Sequence, residues 1–396
     1  MMTRILTRSI WILGLVSLFT DFASEMLYPI MPLYLREIGF SMVLIGFLEG
    51  VAEAVAGLSK GYFGRLSDAW NRRLPFVQLG YTLSALSKPM MAILITPLWI
   101  FLARTLDRLG KGFRTGARDA LLSSYTTPQH KGKVFGFHRS LDTFGAVLGP
   151  LSALAFLHFY PQQYQTIFIL AFLPGMAAVV ITFLLKENRN PLPAQPFRYS
   201  FISFVKYPWQ SSGAYRRLLL GLVLFALFNS SDIFLLLMLK QKGFSDSTML
   251  MVYIFYNLVY ALFAYPLGYL ADKLGFKNIF IAGLVVFTLV YAGMAYTYQP
   301  ILLWLLFALY GLYAAATEGV AKAWISNMLP QEELGTAIGT YEAFRSLAAI
   351  LASTLAGAIW QLISPSTTFM VTAVATTVLI LYFRIAIKTS EPLNKT

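Results

Sequence analysis

The chain has 396 residues, 57% of them hydrophobic and 12% charged, with a mean hydropathy of +0.64. That much apolar surface exceeds what a water-soluble core of ordinary proportions can hide, so lipid must solvate most of it. The net charge of +13 suggests nucleic acid only until the Lys and Arg are placed along the chain; cysteine is absent, which excludes a disulfide framework and thiolate chemistry, and His130, His138 and His158 have no paired metal-ligand spacing.

In chain order, apolar stretches able to cross about 30 Å of hydrocarbon fall at 9–35, 42–66, 76–96, 98–126, 134–158 and 165–185. A second set follows at 216–239, 246–271, 278–298, 301–327, 335–360 and 367–386. The first stretch lacks a cleavable-signal pattern and continues past Pro29 and Pro32, so it reads as a retained helix. Residues 1–185 are expected to form one six-helix bundle and 216–396 another, joined by a cytoplasmic linker at 186–215 that is rich in proline and basic residues. Within the linker, Phe201–Lys206 has the pattern of a short amphipathic helix on the membrane surface. With both termini in the cytoplasm, most of the 31 Lys and Arg lie in cytoplasmic segments or within spans, and Arg36, Lys240 and Lys242 lie outside. Basic charge sorted in this way calls for a bilayer as partner and for no nucleic acid.

The two sets are copies of one another. Gly64-Arg65-Leu66-Ser67-Asp68, followed by Arg72 and Arg73, maps onto Gly268-Tyr269-Leu270-Ala271-Asp272, followed by Lys277, at an offset of 204 residues. The same offset carries Gly39-Phe40-Ser41 onto Gly243-Phe244-Ser245, Val55 onto Val259 and Leu58 onto Leu262. The expected fold is an all-α membrane protein of 12 transmembrane helices in two pseudo-symmetric six-helix bundles, with cargo bound where the repeats meet. The fourth stretch, dense in charge, would pass for a cytosolic loop if read alone. Its repeat partner at 301–327 is plainly apolar, and a loop there would break the charge bias across the membrane.

Charges inside spans carry the chemistry. Each costs roughly 3 kcal/mol at a helix centre if it faces lipid, so Arg104, Asp107, Arg108, Lys111, Arg114, Arg118 and Asp119 must face protein or water. Positions 104, 108, 111, 114 or 115, and 118 step by three and four, which puts a cationic wall along one helix face. Asp21 and Glu25 lie one turn apart on the first span with Tyr28 continuing their face, and Glu49 and Glu53 lie one turn apart on the second, with Lys60 and Lys88 as candidate neutralising partners. Two carboxylates on one buried face repel and are desolvated, which suits them to exchange protons. Arg139 with Asp142, and Glu342 with Arg345, are spaced for ion pairs within their own helices. The second repeat has fewer charges, Asp232 and Glu318 among them, and more Tyr, Phe and Asn around Asn229, Tyr253, Tyr256 and Asn257, as an adaptable wall for cargo would. Small residues at Gly136, Gly145 and Gly149 permit close helix approach, and Pro150 removes a backbone donor and bends its helix. Gly110 and Gly112 lie within a membrane helix, where packing explains them. No phosphate-cradling loop is present, which argues against ATP as the direct energy source, and no nucleophile–base pair supports an enzyme. No cofactor or resident metal is expected.

These residues resemble the major facilitator superfamily of secondary transporters. Gly64 to Arg73 is similar to its hallmark loop between the second and third helices, with Asn71 where a Gly is usual, and Gly268 to Lys277 repeats it. Arg104 stands at the position of that family's fourth-helix arginine, which the resemblance associates with proton coupling. Gly136, Gly145 and Gly149-Pro150 resemble the fifth-helix motif of the twelve-helix drug:proton antiporters, with Ala153-Leu154 in place of Gly-Gly, and Pro29-Ile30-Met31-Pro32 resembles the end of their first helix. The resemblance implies that Asp68 and Asp272 cap helices of the opposite repeat and, with Arg72, Arg139, Gly145, Gly149 and Pro150, act in gating. It further implies a monomeric exporter of the cytoplasmic (inner) membrane that exchanges protons for a small organic molecule. Asp21, Glu25, Tyr28, Glu53, Arg104, Arg108, Lys111, Asp142, Asn229, Asp232 and Glu318 would handle protons or cargo. Two alternatives remain: import of an organic anion or siderophore by symport or uniport, favoured by the basic fourth span, and export of a divalent metal on Asp21, Glu25 and Glu53.

Overall fold

A computed structural model describes residues 5–27, 31, 34–35, 38–40, 42–94, 96–187 and 203–387, without the side chains of 42–50, 53, 203, 246 and 247. Tyr28 and the Glu53 and Glu49 side chains therefore lie outside the described residues. The described residues form α1 (Arg8–Glu25), α2 (Met42–Ala69), α3 (Leu74–Ile93), α4 (Pro97–Ser124), α5 (Lys131–Phe159) and α6 (Tyr164–Thr182). Then follow α7 (Gly213–Ala226), α8 (Ile233–Gln241), α9 (Asp246–Leu274), α10 (Phe276–Tyr296), α11 (Pro300–Met328), α12 (Leu334–Leu362) and α13 (Pro365–Ala386). Seven helical stretches among the described residues, ending in α5, α6, α9, α10, α11, α12 and α13, are long and apolar enough to cross a membrane. Their outer faces leave Leu173, Leu289, Leu351 and Leu355 exposed, a surface suited to lipid.

The duplication is written in the backbone. Gly39 and Gly243 share a positive φ (89° and 88°), and Asn71 and Gly275 both have positive φ as well (49° and 89°). Asn tolerates that region better than other residues with a Cβ, which is why it can stand where the second copy has Gly.

The fourth expected span is helical over its length: α4 has 28 residues despite its charges. It packs closely on two neighbours in its own unit. A Cβ on Gly110 would lie 2.6 Å from the Gly80 carbonyl oxygen of α3, and one on Gly112 would strike Ser59 of α2.

Two expectations are corrected. The seventh span, expected unbroken over 216–239, is two helices, α7 and α8, separated by Leu227–Asp232. Its Asn229-Ser230-Ser231-Asp232 run supplies four short polar side chains that compete with the helix for backbone hydrogen bonds, and the Ser231 hydroxyl accepts from the Ile233 N–H. The linker segment, expected on the membrane surface, is described from Ser203 as a 3₁₀ turn over Ser203–Lys206, and its Phe204 is buried in protein. Phe204 fills the space left by Gly61 of α2, where an added Cβ would lie 2.6 Å from the ring, and Tyr207 donates to Glu333 at 2.8 Å.

The chain divides into two compact units. Unit one holds residues 1–126, 141–207 and 329–343, and unit two holds 127–140, 208–328 and 344–396. In unit one α4 packs with α2 and α3, and α6 with α1 and α3; in unit two α11 packs with α9 and α10, and α10 with α13. The first turns of α5 and of α12 thus belong to a different unit from the remainder of the same helix.

Candidate functional site

In unit one, α5 lies directly on the backbone of α1. A Cβ on Gly145 would come 2.9 Å from the Phe22 nitrogen, and one on Gly149 2.7 Å from the Met26 nitrogen and 2.8 Å from the Glu25 carbonyl carbon. That approach brings Asp142 to α1, where it accepts a hydrogen bond from Ser17. Ser17, Asp21 and Glu25 follow at four-residue steps, so the α1 face with the two carboxylates is the one that begins at the Asp142 contact. Asp21 and Glu25 are partly buried. Pro150 lies inside α5, next to Gly149.

Lys88 of α3, 1% exposed, joins this region to α4. Its ammonium lies 3.6 Å from Asp107, donates to the Ser84 carbonyl at 3.1 Å and reaches the Ser24 hydroxyl of α1 at 3.4 Å. Arg114 donates to Ser84 at 2.6 Å and stacks over Tyr81 at 4.6 Å, and Arg118 pairs with Asp119 at 2.7 Å. Arg104, Arg114 and Arg118 are buried and Arg108 is partly buried, whereas Lys111 on the same face is exposed.

The described residues give these charges partners on neighbouring helices. Lys60 pairs with Glu342 at 3.5 Å and Lys88 with Asp107, while the Glu49 and Glu53 side chains lie outside the described residues. Arg139 donates to Glu318 and, at 2.5 Å, to Tyr260, while Asp142 takes Ser17. Glu342 takes Lys60, while Arg345 lies 3.5 Å from Glu318. Spacing within one helix identified residues that carry charge. It could not reveal which groups the neighbouring helices bring to them.

The two loop aspartates cap helices as the resemblance implied. Asp68 accepts from the backbone N–H groups of Gly335 (3.2 Å) and Thr336 (2.6 Å) and from the Thr336 hydroxyl (2.9 Å), all within unit one. Asp272 accepts from the N–H groups of Gly132 and Lys133 at 2.7 Å each, within unit two. A carboxylate at these positions satisfies N–H groups that no helix can pair internally and opposes the positive end of the helix dipole. Arg73, rather than the exposed Arg72, supports the first cap, lying 3.0 Å from Asp68 and donating to the Gln331 carbonyl.

In unit two, Asp232 ends the α7–α8 break between two phenols. Tyr256 donates to one carboxylate oxygen and Tyr310 to the other, each at 2.6 Å. Asn229 donates to Tyr313 at 2.9 Å. Tyr310 and Tyr313 escaped sequence reasoning, although their spacing of three on the span at 301–327 places them on one face. Lys88 was weighed only as a neutralising charge, and Ser17, one turn before Asp21, was not singled out.

The sequence profile described as Major Facilitator Superfamily matches residues 13–256 and 218–396. An uncharacterized MFS-type transporter of Methanocaldococcus jannaschii is 32% identical over 374 residues, covering 93% of this chain and 92% of the relative. The multi-drug resistance efflux pump PmrA of Streptococcus pneumoniae is 24% identical over 351 residues, 84% of each chain. The crystal structure of the human organic anion transporter MFSD10 (TETRAN) superposes with a TM-score of 0.82 at 18% identity, over 95% of this chain and 99% of that one. The transporter FucP superposes with a TM-score of 0.76 at 10% identity, over 98% and 100%. At these identities the two structures share the fold. Profile and archaeal relative together establish that the chain belongs to the Major Facilitator Superfamily and is a multi-pass membrane transporter.

Proposed function

We propose that the protein is a proton-coupled antiporter of the cytoplasmic membrane, with both termini in the cytoplasm, that exports a small organic molecule by alternating access of the repeats 1–185 and 216–396. The observation that carries this reading is the carboxylate face of α1, with Asp21 and Glu25 following Ser17, which is itself tied to Asp142. Carboxylates on one membrane-embedded face are suited to take up and release protons as access alternates. Lys88 and Arg104 supply positive charge from α3 and α4, and Asp68 and Asp272 are the caps whose release would accompany the change of access. The name of the pneumococcal relative, an efflux pump, supports the outward direction.

The test is transport by purified protein in liposomes under an imposed pH gradient. Asp21→Asn and Glu25→Gln should insert and fold normally yet lose dependence on the gradient. If both variants still run on it, the proton assignment fails.

Lys111, exposed on a face whose neighbours are buried, favours a second reading in which the basic face of α4 admits an organic anion for import. Counterflow under a pH step of either sign separates the two directions. Among the described residues no group of three His, Cys, Asp or Glu is placed to hold a metal ion, and the Glu53 side chain of the set Asp21, Glu25 and Glu53 lies outside them.

A further inference from the structure

We infer that Asp232, with Tyr253, Tyr256, Tyr310, Tyr313 and Asn229, forms a binding site for the positively charged group of an organic cation. The inference rests on the reading of the protein as a transporter of small organic molecules and assigns the charge of its cargo.

The first observation is an unmatched charge. Asp107, Asp119, Glu318 and Glu342 each pair with a Lys or Arg. Asp232 makes no such pair among the described residues; its partners are the hydroxyls of Tyr256 and Tyr310. Each carboxylate oxygen faces one phenol hydroxyl. Beyond them Glu318 and Arg345, themselves 3.5 Å apart, act on Asp232 with opposite signs, so its direct partners are two neutral hydroxyls and a bound cation or a proton would complete its neutralisation.

The second observation is what surrounds that charge. The rings of Tyr253 and Tyr256 meet edge-on at 5.4 Å, as do those of Tyr256 and Tyr310 at 5.4 Å, and those of Tyr310 and Tyr313 lie tilted at 5.3 Å. A continuous run of phenol rings beside a carboxylate is the arrangement that attracts quaternary and protonated amines, because ring faces carry negative potential.

The third observation concerns acceptors and access. The Asn229 side-chain oxygen is buried and accepts no hydrogen bond, while its amide nitrogen is committed to Tyr313. A buried oxygen left without a donor calls for one, and a protonated amine can supply it. Asp232 and Tyr253 are partly exposed, and the helix is interrupted here, so the site can be reached. Interrupted helices are where transporters present backbone and side-chain groups to cargo.

The test is equilibrium binding to the purified full-length protein in detergent, with no pH gradient. The probes are tetraphenylphosphonium, a permanent cation, and tetraphenylborate, an anion of matching size and shape. Wild type should bind the cation about tenfold or more tightly than the anion, and Asp232→Asn should erase that preference. Tyr256→Phe keeps the ring and frees a carboxylate oxygen, so it should retain cation binding. As a measurement on the unsubstituted protein, dicyclohexylcarbodiimide labelling of Asp232, read by peptide mass spectrometry, should be blocked by the cation and not by the anion. Unchanged cation binding by Asp232→Asn, tighter binding of the anion by wild type, or labelling indifferent to the cation would each overturn the site. Normal cation binding by Asp232→Asn with altered pH dependence would overturn it too, by reassigning Asp232 to the proton. Because no gradient is used, these results are independent of the Asp21 and Glu25 test.

Discussion

Asp68 and Asp272 stand 204 residues apart and do the same thing: each accepts two backbone N–H groups at the start of a helix that belongs, in sequence, to the other repeat. Their supports differ. Asp68 has the Arg73 guanidinium at 3.0 Å and the Thr336 hydroxyl, whereas Asp272 has no ion pair among the described residues. Asp68→Asn should therefore lower thermal stability in detergent more than Asp272→Asn. The loss of one charge-assisted hydrogen bond is worth roughly 1.5–3 kcal/mol. Equal shifts in melting temperature would show that Arg73 adds nothing.

Lys88 and Asp107 are a buried pair whose members have unequal surroundings. Asp107 also has Arg104, Arg108 and Arg114 nearby, while the other charges around Lys88 include Arg104 and Arg114. Asp107→Asn should thus destabilise more than Lys88→Met, because it leaves a lysine among arginines. Breaking a buried pair costs about 3–5 kcal/mol. A double-mutant cycle read by thermal melting checks the order, and a larger loss for Lys88→Met would contradict it.

Gly149 meets the α1 backbone at Met26 and Glu25. Gly149→Leu should abolish a monodisperse folded peak in size-exclusion chromatography, and Gly149→Ala should weaken it, since even one Cβ must push two backbones apart. Normal behaviour of the leucine variant would mean that α1 and α5 do not touch there.

Phe204 seats the linker on Gly61. Phe204→Ala should release that segment to limited proteolysis between α6 and α7, with a stability loss of about 3–5 kcal/mol as an upper bound for emptying a packed aromatic site. Protease resistance equal to wild type would place the hold elsewhere, in Tyr207 and Glu333.

Much of the architecture could be read from the chain because repetition and hydropathy are local signals that survive without coordinates. The paired Gly39 and Gly243, the paired Asp68 and Asp272, and the helical fourth span all followed from the offset between copies. What escaped was pairing across space. Arg139 binds Glu318 across 179 residues of sequence and Asp142 binds Ser17 across 125. The break at Asn229–Asp232 was also missed, because apolar flanks mask four polar residues when hydropathy is averaged over a window. The cage at Asp232 draws Tyr256 and Tyr310 from different helices, and no spacing rule joins residues 54 positions apart.

In the second copy of the loop, the lysine that corresponds to Arg73 has found other employment: Lys277 donates to the carbonyls of Arg384 and Ile387 at the end of α13. One ancestral clasp has kept its rivet and its twin has given it up to fasten a different seam. A molecule built from near-duplicate parts is thereby made unequal in how its two caps are braced, with the Asp68 cap the better held of the pair.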